Sequence, residues 1–237
     1  MNSRPDPGHP ITFTYCRDVI TPPPSRAPGA ALADRVSGED VVAAAAWFGA
    51  QLENAPEKDL SRYAGTLAWT CWRAVEHVID DLIAYALQLA AQAPLAYVPL
   101  VGPRGEDEIA HVDPESGPLG LSEALRASAA LLATQVASAG PEARAFHPFG
   151  LSDAEGFAAM GVLEILVHAH DVQIGLTGQS VVLPEEMSAA VLDRLFPDVP
   201  DSLASEPAGQ RLLWCTGRIA LGDQPRRTRW RWDSSVR

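Results

Sequence analysis

Three ionisable residues interrupt an apolar helical stripe in the second half of the chain. Counted at intervals of three and four residues, the stripe contains Phe157, Met160, Glu164, Val167, His168, Asp171 and Ile174. A buried carboxylate or imidazole is costly unless it is paired, hydrogen-bonded or bound to a metal. On a helix the Cβ atoms of Glu164 and His168 lie about 5–6 Å apart, so both side chains can reach one ion at about 2 Å. The spacing therefore predicts two ligands of a metal site.

The third ligand has to come from another element, and the candidate is His77 on an earlier helix. Asp81 and Asp171 each follow a candidate histidine by about one helical turn. Carboxylates at such positions orient the rings of ligating histidines, and the alternative for Asp171 is a hydrogen bond at the helix end. Two other interpretations stay open: the histidines could be ordinary core residues, and Glu164 could pair with Arg73 instead of a metal.

The elements that would position these residues are helices. Alanine-rich runs favour helix, and long runs of β-branched residues are absent. Ser37 with Asp40, and Ser152 with Glu155, have the spacing of a capping box at a helix start. We predict helices at residues 38–53, 70–93 and 122–139, from the Ser152 cap to 176, and at 184–195 and 207–219. The chain is therefore expected to be all-α.

Proline and glycine divide the chain into segments. Residues 1–30 are rich in proline and are predicted to form an extended arm, with 11–15 able to pair as an edge strand. Residues 31–178 are predicted to form a metal-binding four-helix bundle, and 179–237 a small C-terminal subdomain of short helices, with one strand as an open alternative. Residues 94–120 are predicted to be a long loop, with a hairpin as an alternative, and loops of this length are often functional.

Charge argues against a nucleic-acid partner, because the formal net charge is −12 and phosphate repels an acidic surface. A basic run near the C-terminus is the exception. There, four arginines accompany two tryptophans: Arg226, Arg227, Arg229, Trp230, Arg231 and Trp232. We expect either a solvated segment with arginine stacked on tryptophan or a docking patch for an anionic ligand.

Cysteine content and apolar runs predict the cellular setting. The three cysteines, Cys16, Cys71 and Cys215, are widely spaced and fit neither a disulfide framework nor a thiolate zinc site. Cys71 is expected to be structural. No apolar run has the length of a signal peptide or a membrane span. We therefore expect a protein of the reducing cytoplasm.

Three local motifs carry a resemblance to a known family. They are Trp69-Thr70 before a helix with Glu76-His77 and Asp80-Asp81, the Glu-x-x-x-His-x-x-Asp pattern from Glu164 to Asp171, and Leu213-Trp214-Cys215-Thr216-Gly217-Arg218. In order and spacing they resemble the DinB-like superfamily, in particular its mycothiol-dependent maleylpyruvate isomerase branch, over residues 35–232. The chain departs from the family in its longer proline-rich arm and in His170, which lies inside the second motif.

The resemblance implies a DinB-like four-helix bundle that holds one divalent ion, zinc, through His77, Glu164 and His168. It also implies that Arg218 binds the carboxylate of the substrate, and that mycothiol or a similar low-molecular-weight thiol is the cosubstrate. In an isomerase the thiolate would add to a conjugated double bond, the resulting single bond would rotate, and elimination would restore the alkene. In an S-transferase the thiolate would attack an electrophile and stay attached.

Two alternatives to a thiol-using enzyme stay open. Three protein ligands leave a coordination position for water, so the protein could be a hydrolase that uses metal-bound hydroxide. The same helices could instead form a non-catalytic binding or stress-response module. We expect small-molecule partners, no nucleic acid and no membrane, in a monomer or a homodimer. Nickel, iron and manganese are alternatives to zinc at a site of this composition.

Overall fold

The computed structural model describes residues 35–102 and 108–236, apart from the side chains of residues 57 and 58. Its regular elements, in chain order, are α1 (Gly38–Glu53), a 3-10 turn (Glu57–Ser61), α2 (Cys71–Ala91), a 3-10 turn (Pro114–Ser116), α3 (Gly117–Ser138), α4 (Ala154–Thr177), α5 (Glu185–Leu195), a 3-10 turn (Asp201–Leu203) and α6 (Ala208–Cys215). The prediction of an all-α protein is confirmed.

Strands are absent from this part of the chain, where three isolated β-bridges are the only extended pairings. The strand considered for the C-terminal subdomain and the hairpin considered for the long loop are therefore wrong for the described residues. The predicted arm at 1–30 and its edge strand lie outside those residues. The boundary predicted between 178 and 179 stays a prediction. The described residues on both sides of it belong to one compact unit.

The central element is α4, which contacts α1, α2 and α3 on one side and α5 on the other. Every residue from Gly156 to Val172 is buried, so the stripe identified in the sequence is one face of a helix that is covered all round. Among the described residues, α4 alone has the length and hydropathy of a membrane span, and its burial is that of a core helix. The ionisable residues of this buried stretch, Glu164, His168, His170 and Asp171, are consequently removed from water.

Helix starts follow the local capping signals, with one correction. Ser37 and Asp40 form the predicted capping box at the start of α1. At the start of α4 the cap is Asp153, not Ser152. The Asp153 carboxylate accepts a backbone N–H of the first turn and also pairs with the buried Arg194 at 3.0 Å. A charged acceptor that satisfies two donors is more strongly favoured at this position than a hydroxyl.

Two helix ends differ by more than two residues from their predicted positions. α3 begins at Gly117, five residues early, because Pro118 is well suited to the first turn of a helix. α6 ends at Cys215 instead of 219, because Gly217 adopts a φ of 69° that turns the chain away. This turn matters for the site, since it directs Arg218 back towards α4.

The turn before α2 packs closely against the C-terminal half of α4, and Gly175 is the point of closest approach. A Cβ atom there would clash with the carbonyl oxygen of Tyr63 and would lie 2.6 Å from the sulfur of Cys71. The thiol of Cys71 points at the carbonyl of Val172 on the same helix at 3.7 Å. The absence of a side chain at Gly175 therefore allows the two segments that carry the candidate ligands to meet.

Replacing Gly175 with alanine is expected to lower the free energy of unfolding by about 1–3 kcal/mol, because the added methyl group overpacks this contact. In an open helix the same change would stabilise by up to about 1 kcal/mol. Urea denaturation measures the difference. The matched control is Gly140→Ala, where a Cβ atom meets nothing within 4 Å and the effect should stay within about 0.5 kcal/mol. A Gly175→Ala protein as stable as wild type would contradict the packing argument.

His147 is a neutral buried histidine in the connection before α4. Its ring lies 6.1, 5.4 and 5.4 Å from the rings of Tyr85, Phe149 and Trp232. Its Nδ1 accepts the backbone N–H of Phe149 at 3.1 Å, which places the ring proton on Nε2. Burial lowers the pKa of His147 to about 4. Protonation therefore costs folding energy at this position.

That shift predicts a loss of stability in mild acid. The pKa of His147 is about 6.5 when unfolded and about 4 when folded, so the unfolded chain takes up the proton first. The contribution is complete above about pH 6.5 and is lost as the pH falls towards 4, by about 2 kcal/mol at pH 5. The free energy of unfolding of wild type should fall by about that much more between pH 7.5 and 5 than that of His147→Gln. Equal falls would show that His147 is protonated in the folded protein.

Candidate metal centre

Helices α2 and α4 bring the three predicted ligands together. One ligand atom each from His77, Glu164 and His168 lies within 4.8 Å of the other two. Glu164 and His168 are buried, and His77 is half-buried. The indole of Trp69, from the turn before α2, lies 4.7 Å from the ring of His77 and covers one side of the cluster. The face of α2 that carries His77 therefore packs against α4, as a shared site requires.

The His168 ring lies between two carboxylates. Its Nε2 is 3.3 Å from Glu164 and its Nδ1 is 3.2 Å from Asp171, and Nδ1 is buried without a hydrogen bond. Asp171 is itself held by Arg218, whose Nε and Nη2 donate to the two carboxylate oxygens at 3.3 and 2.8 Å. Asp171 thus stands where it would orient the ring, and Nε2 faces the cluster.

The His77 ring also has a carboxylate on each side. Nδ1 hydrogen-bonds to Glu108 at 2.9 Å, and Nε2 lies 3.4 Å from Asp81. The predicted partner, Asp81, is present, but the hydrogen bond is made by Glu108, which the sequence analysis did not identify. Glu108 comes from the long loop between α2 and α3, and the length of that loop is the one sequence signal that pointed to it.

Arg73 does not pair with Glu164, so that alternative interpretation is wrong. Its guanidinium lies against the carboxylate of Glu108 and 3.6 Å from that of Glu76. Arg73 and Glu76 are one turn apart on α2 and point towards the long loop, whereas Glu164 faces the histidines. The pairing attaches Glu108 to α2 and leaves Glu164 free to act as a ligand.

The charges of the cluster favour a cation between the three side chains. Burial by itself lowers the pKa of His168, but the carboxylates of Asp171 and Glu164 outweigh it and raise the pKa to about 9. Burial pushes the pKa of Glu164 up, but the two histidines and Arg218 outweigh it and hold that pKa below its usual value. Burial lowers the pKa of His77 to about 4, so this ring is neutral, as a metal ligand must be.

The residues fit a divalent metal ion. Two imidazole nitrogens and one carboxylate oxygen are the donor set of catalytic zinc sites, which keep a further position for substrate or water. The donor atoms lie within 4.8 Å of one another. This distance is close to the separation of about 4 Å that two donor atoms on one ion can have. The Nδ1 of His168 is buried without a hydrogen bond and lies 3.2 Å from Asp171, a carboxylate of the kind that orients a ligating histidine.

Two cavities meet at the cluster, and His77 lines both. The smaller has a volume of about 240 Å³ and is lined by Glu164, His168, Arg218 and the indoles of Trp69, Trp230 and Trp232. The larger, about 490 Å³, lies between α2 and the long loop and is lined by Asp81, Tyr85, Tyr97, Leu100 and Glu108 among others. Two reactants could therefore reach the centre from different sides.

A third cavity, the arginine cavity, has a volume of about 480 Å³ and is lined by Arg218, Arg226 and Arg227. It shares lining residues, including Arg218 and Trp230, with the smaller cavity at the cluster. Of the two expectations for the basic run, stacking is found for Arg227, whose guanidinium lies 4.0 Å from the centre of the Trp214 ring. The position of Arg226 fits the anion-docking alternative.

The other candidate groups lie away from the centre. His170 is buried, and its Nδ1 contacts the hydroxyl of Ser180 at 3.1 Å, which suits the structural role expected for it. Burial raises the pKa of the Cys71 thiol to about 11 and that of Cys215 to about 12. Neither thiol is activated as a nucleophile.

Comparisons of the chain with protein-family models, with curated proteins and with solved structures find no match. The motifs of the sequence and the geometry of the centre are therefore the observations that bear on function.

Replacing Glu108 with alanine is expected to weaken zinc binding about 10- to 100-fold, because the His77 ring loses the carboxylate that orients it. Competition with a chromophoric chelator measures the change. The control is Glu115→Ala, an exposed carboxylate near the end of the same loop, which should leave the affinity within about threefold of wild type. Equal affinities for the two variants would remove Glu108 from the site.

Proposed function

We propose that this chain is a metal-dependent enzyme of the DinB-like superfamily that uses an external thiol against a small carboxylated electrophile. In this proposal α1 to α4 form the four-helix bundle of that family, and the protein works in the cytoplasm with mycothiol or a similar thiol. The convergence of one ligand atom each from His77, Glu164 and His168 within 4.8 Å carries the proposal. The order of the three sequence motifs supports it.

Bound zinc would supply a Lewis acid that favours the deprotonated form of a coordinated thiol at neutral pH. The residues of the chain account for the rest of the arrangement. His77, Glu164 and His168 would hold the ion, and Asp171 and Glu108 would orient the two imidazole rings. The indoles of Trp69, Trp230 and Trp232 line the smaller cavity and place apolar surface beside the charged groups of the centre, which would strengthen their interactions.

An external thiol is favoured because, among the residues that the structure describes, no cysteine lies at the centre. Cys71 and Cys215 are buried with raised pKa values of about 11 and 12, so both stay protonated at neutral pH. The cavity of about 490 Å³ beside His77 has room for a small cosubstrate. The arginine cavity on the other side offers positive charge to a carboxylated electrophile.

The products separate the reactions that these residues could catalyse. In an isomerase the carbon–sulfur bond forms and then breaks, so the alkene changes geometry and the thiol is not consumed. In an S-transferase that bond remains, and one thiol disappears for each electrophile. A metal-hydroxide hydrolase would cleave an ester or amide without any thiol, and a binding module would turn over nothing.

The test uses zinc-loaded and chelator-stripped protein with mycothiol and a series of conjugated carboxylic acids. Loss of free thiol, appearance of an adduct and change in alkene geometry are followed by mass spectrometry and ultraviolet absorption. We expect turnover that needs both zinc and thiol, is lost in His168→Ala and is retained in His170→Ala. Turnover that survives complete removal of zinc, or that proceeds without thiol, would show that the proposal is wrong.

A further inference from the structure

The arginine that matches the carboxylate-binding position of the family is already engaged. Arg218 donates from Nε and Nη2 to Asp171 at 3.3 and 2.8 Å, and from Nη1 to the carbonyl of Thr216 at 2.9 Å. Three of its five N–H groups are therefore used, and its charge is neutralised by a two-point ion pair. Only 13% of its side chain is exposed.

Arg226 lines the arginine cavity together with Arg218, but the groups that hold its guanidinium are neutral. Its Nε donates to the carbonyl of Gly217, and its Nη2 lies 3.5 Å from the hydroxyl of Thr66. These contacts hold the guanidinium in place through neutral groups. Within residues 35–102 and 108–236, no carboxylate lies within ion-pair distance of Arg226. Its positive charge is oriented and uncompensated.

The remaining arginines near the cavity are less suited to an anion. Arg227 pairs with Asp198 at 3.1 Å and lies against the ring of Trp214. Arg229 and Arg231 are exposed and do not line the cavity. Among the described residues, two of the three arginines that line the cavity are thus paired with carboxylates, and Arg226 is not.

We propose that Arg226 is the residue that binds the carboxylate of the substrate in the arginine cavity, and that Arg218 is a positioning residue for the metal ligand. A guanidinium binds a carboxylate most strongly when its own charge is not already compensated and its fork is pre-oriented. Arg226 meets both conditions. This inference refines the proposed function by placing the carboxylate of the electrophile beside Arg226, in a cavity that adjoins the centre.

The positioning role of Arg218 follows from its contact with Asp171, which in turn contacts the ligand His168. Its fork fixes the Asp171 carboxylate, and Asp171 stands 3.2 Å from Nδ1 of His168. Loss of such an outer partner usually weakens metal binding without touching the ion. Arg218 should therefore act on metal affinity, and Arg226 on anion affinity.

Calorimetric titration of the full-length protein with fumarate, a planar dicarboxylate, tests this assignment. The variants are Arg226→Met, Arg226→Lys, Arg231→Met as an exposed arginine control, and the double variant Asp171→Asn with Arg218→Met. The double variant removes both partners of the ion pair, so no bare carboxylate is left near the cavity to repel the anion. Zinc uptake is measured on every protein in parallel.

We expect Arg226→Met to weaken fumarate binding at least about tenfold with zinc affinity unchanged, and Arg226→Lys to recover part of the loss. The double variant should bind fumarate within about threefold of wild type but bind zinc about 10- to 100-fold more weakly. Wild-type protein that binds no fumarate, or an Arg226→Met protein that binds it normally, would overturn the assignment. Absent zinc uptake by wild type would instead contradict the proposed function, whatever the fumarate result. Arg226 is exposed, so its variants are expected to fold.

Discussion

Replacing His168 with alanine is expected to reduce the zinc content of the purified protein from about one ion per chain to less than about a tenth of one. His168 is central to the cluster, because its Nε2 faces Glu164 at 3.3 Å while its Nδ1 faces Asp171. Alanine removes one of three donors and leaves a water-filled gap beside Glu164. Two protein ligands rarely hold zinc against a chelator.

Plasma emission on protein purified without chelator measures the metal directly. His77→Ala and Glu164→Gln should behave in the same way, since each removes one donor. The matched control is His170→Ala, which removes a second buried imidazole from α4, one that bonds to Ser180 instead of facing the cluster. This variant should keep about one ion per chain.

Thermal unfolding provides an independent readout of the same site. Saturating zinc should stabilise the wild-type protein, by about 2.7 kcal/mol at a free concentration one hundred times the dissociation constant. The ligand variants should show no such gain. Wild-type protein that takes up no zinc would reduce the three residues to buried polar groups and would favour the binding-module alternative.

The second large effect is expected at Asp171, the carboxylate between the metal ligand and the arginine. Replacing it with asparagine removes the charge that compensates Arg218 inside a buried pair. Breaking such a pair from one side typically costs about 3–5 kcal/mol, because the remaining charge is left in a low-dielectric setting. Zinc affinity should fall about 10- to 100-fold as well, since the His168 ring loses its orientation.

Urea denaturation and chelator competition measure the two losses. Asp223→Asn is the control, because Asp223 is exposed and its change should stay within about 0.5 kcal/mol. The double variant Asp171→Asn with Arg218→Met should recover part of the stability, since it leaves no uncompensated charge, but it should not recover the zinc affinity. If the single variant is as stable as wild type, the ion pair does not contribute to the fold.

Features that depend on neighbours within about one helical turn could be predicted from the sequence. The start of α1 follows from the Ser37 and Asp40 cap, and the pairing of Glu164 with His168 follows from a spacing of four residues on a helix. Both depend on the backbone hydrogen bond from each residue to the fourth one before it. That periodicity is local, so a short stretch of sequence contains it.

The position of His77 beside α4 could be predicted from the sequence only in part. The sequence identified the residue, but its face of α2 lies off the main apolar stripe, and only the packing of α2 on α4 shows that this face is buried. The family resemblance supplied the pairing in advance. The function that this family implies remains a proposal.

The partners of the ligands were decided by tertiary structure. Glu108 reaches His77 from a loop 31 positions away, and Arg218 reaches Asp171 across 47 positions. The difference between Arg218 and Arg226 depends on which one meets a carboxylate, and no local pattern encodes that. The sequence by itself determined the helices and the pairing of Glu164 with His168, because both follow from short-range geometry. The orientation of the rings depends on how distant segments pack, and so does the lack of a carboxylate partner for Arg226 within residues 35–102 and 108–236. Only the folded chain decides them.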